Sequence, residues 1–133
     1  MKLPNYVKPM PKLLLLISPK VKGATLGNIY LPEEIFTDLQ KENPDPINIS
    51  LLIHEEEHRK NSSLSNIIRY ALFPKARLNE ELGAYKVQFK YLKSKRATYD
   101  IENVARNLSG FFYFYSTNYK NAKRLLEKAW NES

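Results

Sequence analysis

His54 and His58 are the two histidines of the chain, and they stand four residues apart in the stretch "LLIHEEEHRK", residues 51–60. Four residues are about one helical turn, so on a helix both imidazoles project from one face, one above the other. Two neutral imidazoles in that arrangement form a pair of nitrogen ligands for a divalent ion. Glu55, directly after the first histidine, falls beside the coordination position left for water, where a carboxylate can accept a proton. The stretch fits H-E-x-x-H; its competing reading is a solvated, charged helix face. Leu51, Leu52 and Ile53 just upstream favour a helix that enters the interior.

A zinc site that keeps one position for water takes three protein ligands. The chain has no third histidine and no cysteine, so the missing ligand must be an oxygen. The segment "NEELGAY", residues 79–85, is the best supply. Glu81 lies 23 residues past His58, enough chain for a helix and a turn to bring a second helix against the first. It borders the apolar stripe expected of Leu78, Leu82, Tyr85, Phe89 and Leu92, whereas Glu80 is turned by about 100° and is expected to face outward.

These residues need elements to carry them. "KLLLLIS", residues 12–18, is apolar without alternation and ends at Pro19, which suits a strand buried on both faces. "GATLGNIYLP", residues 23–32, reads as a second extended segment with bends at Gly23 and Gly27. "PEEIFTDLQK" opens with proline and acids, the signature of a helix start, and "ENPDP" closes it. From Ile47 the pattern is helical, with Asn48 or Ser50 as caps. A further helix runs from about Ser65 to Leu72 and stops before Pro74, and the periodicity over "ARLNEELGAYKVQFKYLKSKR" predicts an amphipathic helix packed on a core. A shorter helix near Ile101 to Leu108, a break at "SG", the aromatic run "FFYFY" and a last helix from Ser116 or Thr117 follow. Strands precede helices, so the expected class is α+β, a small N-terminal sheet of two to three strands followed by a helical part.

The length, 133 residues, suits a single domain over 1–133, and 43% hydrophobic with 26% charged residues is ordinary globular usage. The absence of cysteine excludes disulfides, thiolate metal sites and cysteine nucleophiles. "LLLLI" is too short for a signal-peptide core, and no run approaches the ~20 apolar residues of a membrane span. The expectation is a cytoplasmic protein with no membrane partner. Net charge is +7, concentrated in residues 76–133, which hold eleven basic and six acidic side chains. Such a half can meet nucleic acid, although Lys86, Lys90 and Lys93 also read as the solvated stripe of one helix.

"HEEEH" followed by "NEELGA" resembles the gluzincin metallopeptidases, in which a glutamate from a downstream helix completes the zinc sphere. The short chain is similar to their minimal members, the minigluzincins, over residues 12–93, and "LSGFFY" is similar to a helical tail of related small proteins. The resemblance implies Zn2+ held by His54, His58 and Glu81, Glu55 as general base, and "GATLGNIYLP" as the cleft-edge strand. One departure stands out. Where many gluzincins have an aspartate four residues after the ligand glutamate, this chain has Tyr85, so support for a ligand histidine must come from Tyr85, a backbone carbonyl or another group.

The implied activity is metal-assisted hydrolysis of a peptide or protein substrate, with Glu55 passing a proton from water to the leaving amine. An oxyanion stabiliser is expected among Tyr85, Tyr113 and Tyr115. An extended peptide would add to a free edge of the strand Ala24 to Leu31. Two other readings stay open. One is a noncatalytic, metal-stabilised binding module whose basic C-terminal half contacts nucleic acid or a protein; the other is a latent peptidase covered by its own tail.

Overall fold

A computed structural model describes residues 1–12, 24–110, 113 and 116–133. The fold is α+β, with, among the described residues, three strands and six helices, β1 Val7–Pro9, β2 Ala24–Leu26, β3 Asn28–Leu31, α1 Glu33–Leu39, α2 Pro46–Lys60, α3 Leu64–Leu72, α4 Pro74–Ser94, α5 Ile101–Leu108 and α6 Tyr119–Glu132. The chain divides into two compact units, Met1–Ser62 and Ser63–Ser133. Of the strand expected over 12–18 only Lys12 is described, and it is helical; the rest, with most of the aromatic run 111–115, lies outside the described residues.

In the first unit the sheet order is β1-β3-β2. β1 runs parallel to β3, with Val7 opposite Ile29, and β2 runs antiparallel to β3, with Thr25 opposite Ile29. The segment expected as one extended strand is therefore a tight hairpin. Gly27 is the reason: its φ is +78°, a region that side chains disfavour, and it reverses the chain between Leu26 and Asn28. β3 has a partner on both sides, so it offers no free edge to a peptide, and the stretch Ala24 to Leu31 is not one edge strand.

α1 and α2 lie on this sheet through a core of Val7, Ile29, Leu31, Leu39 and Leu52, flanked by Leu3, Tyr6, Ile35, Phe36 and Ile49. The corner between the helices is held by Asp38, whose carboxylate accepts from Lys41 Nζ at 2.8 Å, from the Asp45 amide at 2.9 Å and from Asn48 Nδ2 at 2.8 Å. These hydrogen bonds, that of Lys41 first, hold the Asp38 pKa down at about 2.

The second unit is helical. The buried face of α4 meets α6, and α5 packs on α6, around Phe89, Leu92, Val104, Leu108, Leu126 and Ala129. Phe89 is the hub, with Tyr85, Tyr99 and Trp130 rings at 5.7, 5.5 and 5.2 Å between centroids. α5 spans the expected Ile101 to Leu108, capped by the Asp100 carboxylate on the Asn103 amide, and α6 starts slightly later than expected, behind an Asn118 cap. α4 ends with Arg96 in the left-handed region at φ 53°. The Ala97 and Arg96 amides turn back onto the Leu92 and Lys93 carbonyls, at 3.0 Å each, the two bonds of a Schellman motif.

The buried face of α4 corrects the expected stripe. Arg77, Glu81, Ala84, Tyr85, Gln88, Phe89 and Leu92 are buried, whereas Leu78 and Leu82 are half-buried flanks. Glu81 sits in the middle of the inward face rather than at its border, and Glu80, expected to face outward, is half-buried.

Candidate metal centre

Helix α2 carries His54, Glu55 and His58, and its start is set locally. Pro46 stands at the first helical position and the Asp45 carboxylate, not Asn48 or Ser50, caps it by accepting from the Ile47 amide at 2.8 Å. The last turn holds, beside His58, Arg59 and Lys60, cations where the helix dipole favours them. Leu52 anchors the helix in the core of its unit.

The helix register brings the histidines together as the spacing predicted. Their Nε2 atoms are 3.1 Å apart and their rings meet edge to face, with centroids separated by 4.8 Å. Two nitrogens bound to one tetrahedral zinc at ~2.05 Å are themselves about 3.3 Å apart. The observed separation is close to that of two ligands of a shared ion. As a direct hydrogen bond it requires one Nε2 to carry a proton and the other to be bare.

The three glutamates between them are sorted by the fold. Glu55 is buried, at 7% exposure. Glu56 accepts a hydrogen bond from the Tyr6 hydroxyl at 3.0 Å, and Glu57 pairs with Lys60 at 3.1 Å. Arg59 lies 3.8 Å over the Tyr6 ring and donates to the Gly27 carbonyl at 3.2 Å. Tyr6 and Arg59 thus tie the end of the histidine helix to the hairpin turn. Burial, followed by the hydrogen bond and charge of Glu56, raises the Tyr6 pKa above its ordinary value.

In the second unit the Glu81 carboxylate is buried at 2% exposure and accepts a short hydrogen bond from the Tyr70 hydroxyl, 2.6 Å. Burial first, then the charge of Glu81 and the bond it accepts, push the Tyr70 pKa far above that of a free phenol. The hydroxyl therefore stays a donor, and a carboxylate held by a donor is fixed in orientation. Arg77, one turn before Glu81, is also buried. Its guanidinium donates to the Tyr113 carbonyl at 3.1 Å, the Ser116 hydroxyl at 3.2 Å and the Ala71 carbonyl at 2.8 Å.

Of the tyrosines expected near the reacting carbonyl, Tyr85 is buried against Phe89, Tyr113 is half-buried, and Tyr115 lies outside the described residues. Sequence reasoning missed Tyr70 as the partner of Glu81 and Tyr6 as the partner of Glu56. Each bond joins residues far apart in sequence, so no local pattern announces it.

No protein-family model, no curated protein and no solved structure matches the chain.

Proposed function

We propose that the chain is a zinc-dependent metallopeptidase, with His54, His58 and Glu81 as the ligands of the ion and Glu55 as the general base. The observation that carries this reading is the His54–His58 pair, with Nε2 atoms 3.1 Å apart one residue from a buried carboxylate. The choice of Glu81 rests on the missing oxygen ligand, on its 23-residue separation from His58 and on its buried, tyrosine-oriented carboxylate. A bound zinc ion would supply a Lewis acid that makes water nucleophilic near neutral pH and polarises a peptide carbonyl.

The work of the chain's own residues follows. His54 and His58 act as neutral imidazoles, each with its proton on Nδ1 and Nε2 bare. Glu55 accepts the proton that water loses as its oxygen bonds to the carbonyl carbon. It returns that proton to the leaving nitrogen as the carbon–nitrogen bond breaks, giving a carboxylic acid and an amine. Tyr70 keeps the Glu81 carboxylate in one orientation.

Glu55→Gln is the test, because it retains shape and removes the base. With a broad mixture of peptides, cleavage by the zinc-loaded wild type should fall by about 100-fold or more in the variant while zinc content stays the same. A protein that binds zinc and cuts no peptide would instead be a metal-stabilised binding module.

A further inference from the structure

Helix α3 presents an apolar face to solvent. Leu64, Ile67, Ile68 and Leu72, with Phe73 just beyond, are 75, 44, 48, 67 and 57% exposed, and no residue of the helix is buried. At about 100° per residue the four helical side chains fall within a sector of ~140°. Single exposed leucines need no explanation; four large apolar groups on one face, with Phe73 exposed just after them, do.

The orientation is fixed by contacts within the second unit. Tyr70, on the opposite side of α3, reaches inward to Glu81, and the Ala71 carbonyl near the end of the helix accepts from buried Arg77. The helix therefore packs through a polar contact and turns its apolar face outward.

Charge says what covers this face. From His58 to Asn79 the chain has no aspartate or glutamate, and it carries Arg59, Lys60, Arg69, Lys75 and Arg77. Arg69 and Lys75, which flank the apolar residues in sequence, are exposed. A second copy of the chain would set these cations against their own equivalents, a repulsive pairing. An exposed apolar face flanked by cations, in a stretch of chain without acids, fits an anionic bilayer surface, with Leu, Ile and Phe entering the acyl boundary and Arg and Lys meeting phosphates.

We propose that α3 docks the protein on anionic lipid membranes as an interfacial helix. This departs from the expectation of no membrane partner, which rested on the lack of a span. Among the described residues no helix is long and apolar enough to cross a membrane, and surface docking requires none. The proposal is independent of the metal reading.

The test is co-sedimentation of the full chain with vesicles of phosphatidylglycerol and phosphatidylcholine, against vesicles of phosphatidylcholine alone. The expected result is binding to the anionic vesicles that weakens at least ~10-fold in 0.5 M salt, on pure phosphatidylcholine, and in Ile68→Glu/Leu72→Glu. These positions are exposed, so the variant should retain its circular dichroism and Trp130 fluorescence; Leu64→Ser/Leu72→Ser is a gentler second variant expected to weaken binding in the same direction. No binding to anionic vesicles, equal binding to both lipids, or binding unchanged in folded variants would overturn the proposal. So would a reversible dimer, dissolved by the same substitutions, in a protein that ignores vesicles.

Discussion

Helices α3 and α4 are consecutive in the chain and invert each other's use of polarity. α3 exposes Leu64, Ile67, Ile68 and Leu72, whereas α4 buries Arg77, Glu81 and Gln88. Each of these three side chains has a partner within the second unit: Glu81 has Tyr70, Arg77 has two carbonyls and a hydroxyl, and Gln88 has the Tyr99 hydroxyl at 3.2 Å. Burying such groups costs stability unless they are paired, and exposing large apolar ones forgoes burial energy. Both departures suit the roles proposed for these helices, a ligand carboxylate on α4 and a docking face on α3.

The sharpest contrast is between two apolar truncations. Phe89→Ala removes the hub of the second unit and should lower its stability by about 4 kcal/mol. Ile68→Ala on α3 should change it by no more than ~0.5 kcal/mol. Urea unfolding followed by Trp130, the single tryptophan, reads both, and similar losses would break the comparison by showing that α3 packs on a core.

Arg77→Ala tests the polar half. It removes the buried guanidinium and leaves the part-buried Ala71 and Tyr113 carbonyls without their charged donor, and should cost about 2 kcal/mol in the same unfolding assay. A loss below ~1 kcal/mol would mean that water replaces the guanidinium easily.

The smallest effect is expected at Asp38, in the first unit. Its pKa in the folded chain is about 2, below the ordinary 3.8, so its contribution is complete above pH 4 and disappears as pH falls through about 2. Melting temperatures of the wild type should thus fall between pH 4 and 2 by more than those of Asp38→Asn. Parallel curves would show that the α1–α2 corner does not depend on this carboxylate.

Much of the helical frame was legible because its boundaries are chemical. Pro32 marks where α1 begins, "ENPDP" where it ends and Pro74 where α3 stops, and α5 spans the expected Ile101 to Leu108. The two histidines were legible because a turn of helix alone brings them together. The inward face of α4 was not, since hydropathy draws the stripe through Leu78 and Leu82, while the fold buries Arg77, Glu81 and Gln88 against distant partners. The hairpin was half legible: Gly27 marked a bend, but only its positive φ makes that bend a reversal that sets β2 beside β3.

The most direct test of the central claim is the zinc affinity of the purified chain and of Glu81→Ala, measured by competition with a chromogenic chelator. The account predicts about one zinc per wild-type chain. It also predicts affinity more than ~100-fold weaker in the variant, with circular dichroism unchanged, because outer hydrogen-bond partners alone are worth about 10–100-fold. A wild type that takes up no stoichiometric zinc, or a folded Glu81→Ala that binds it as tightly, would contradict the claim.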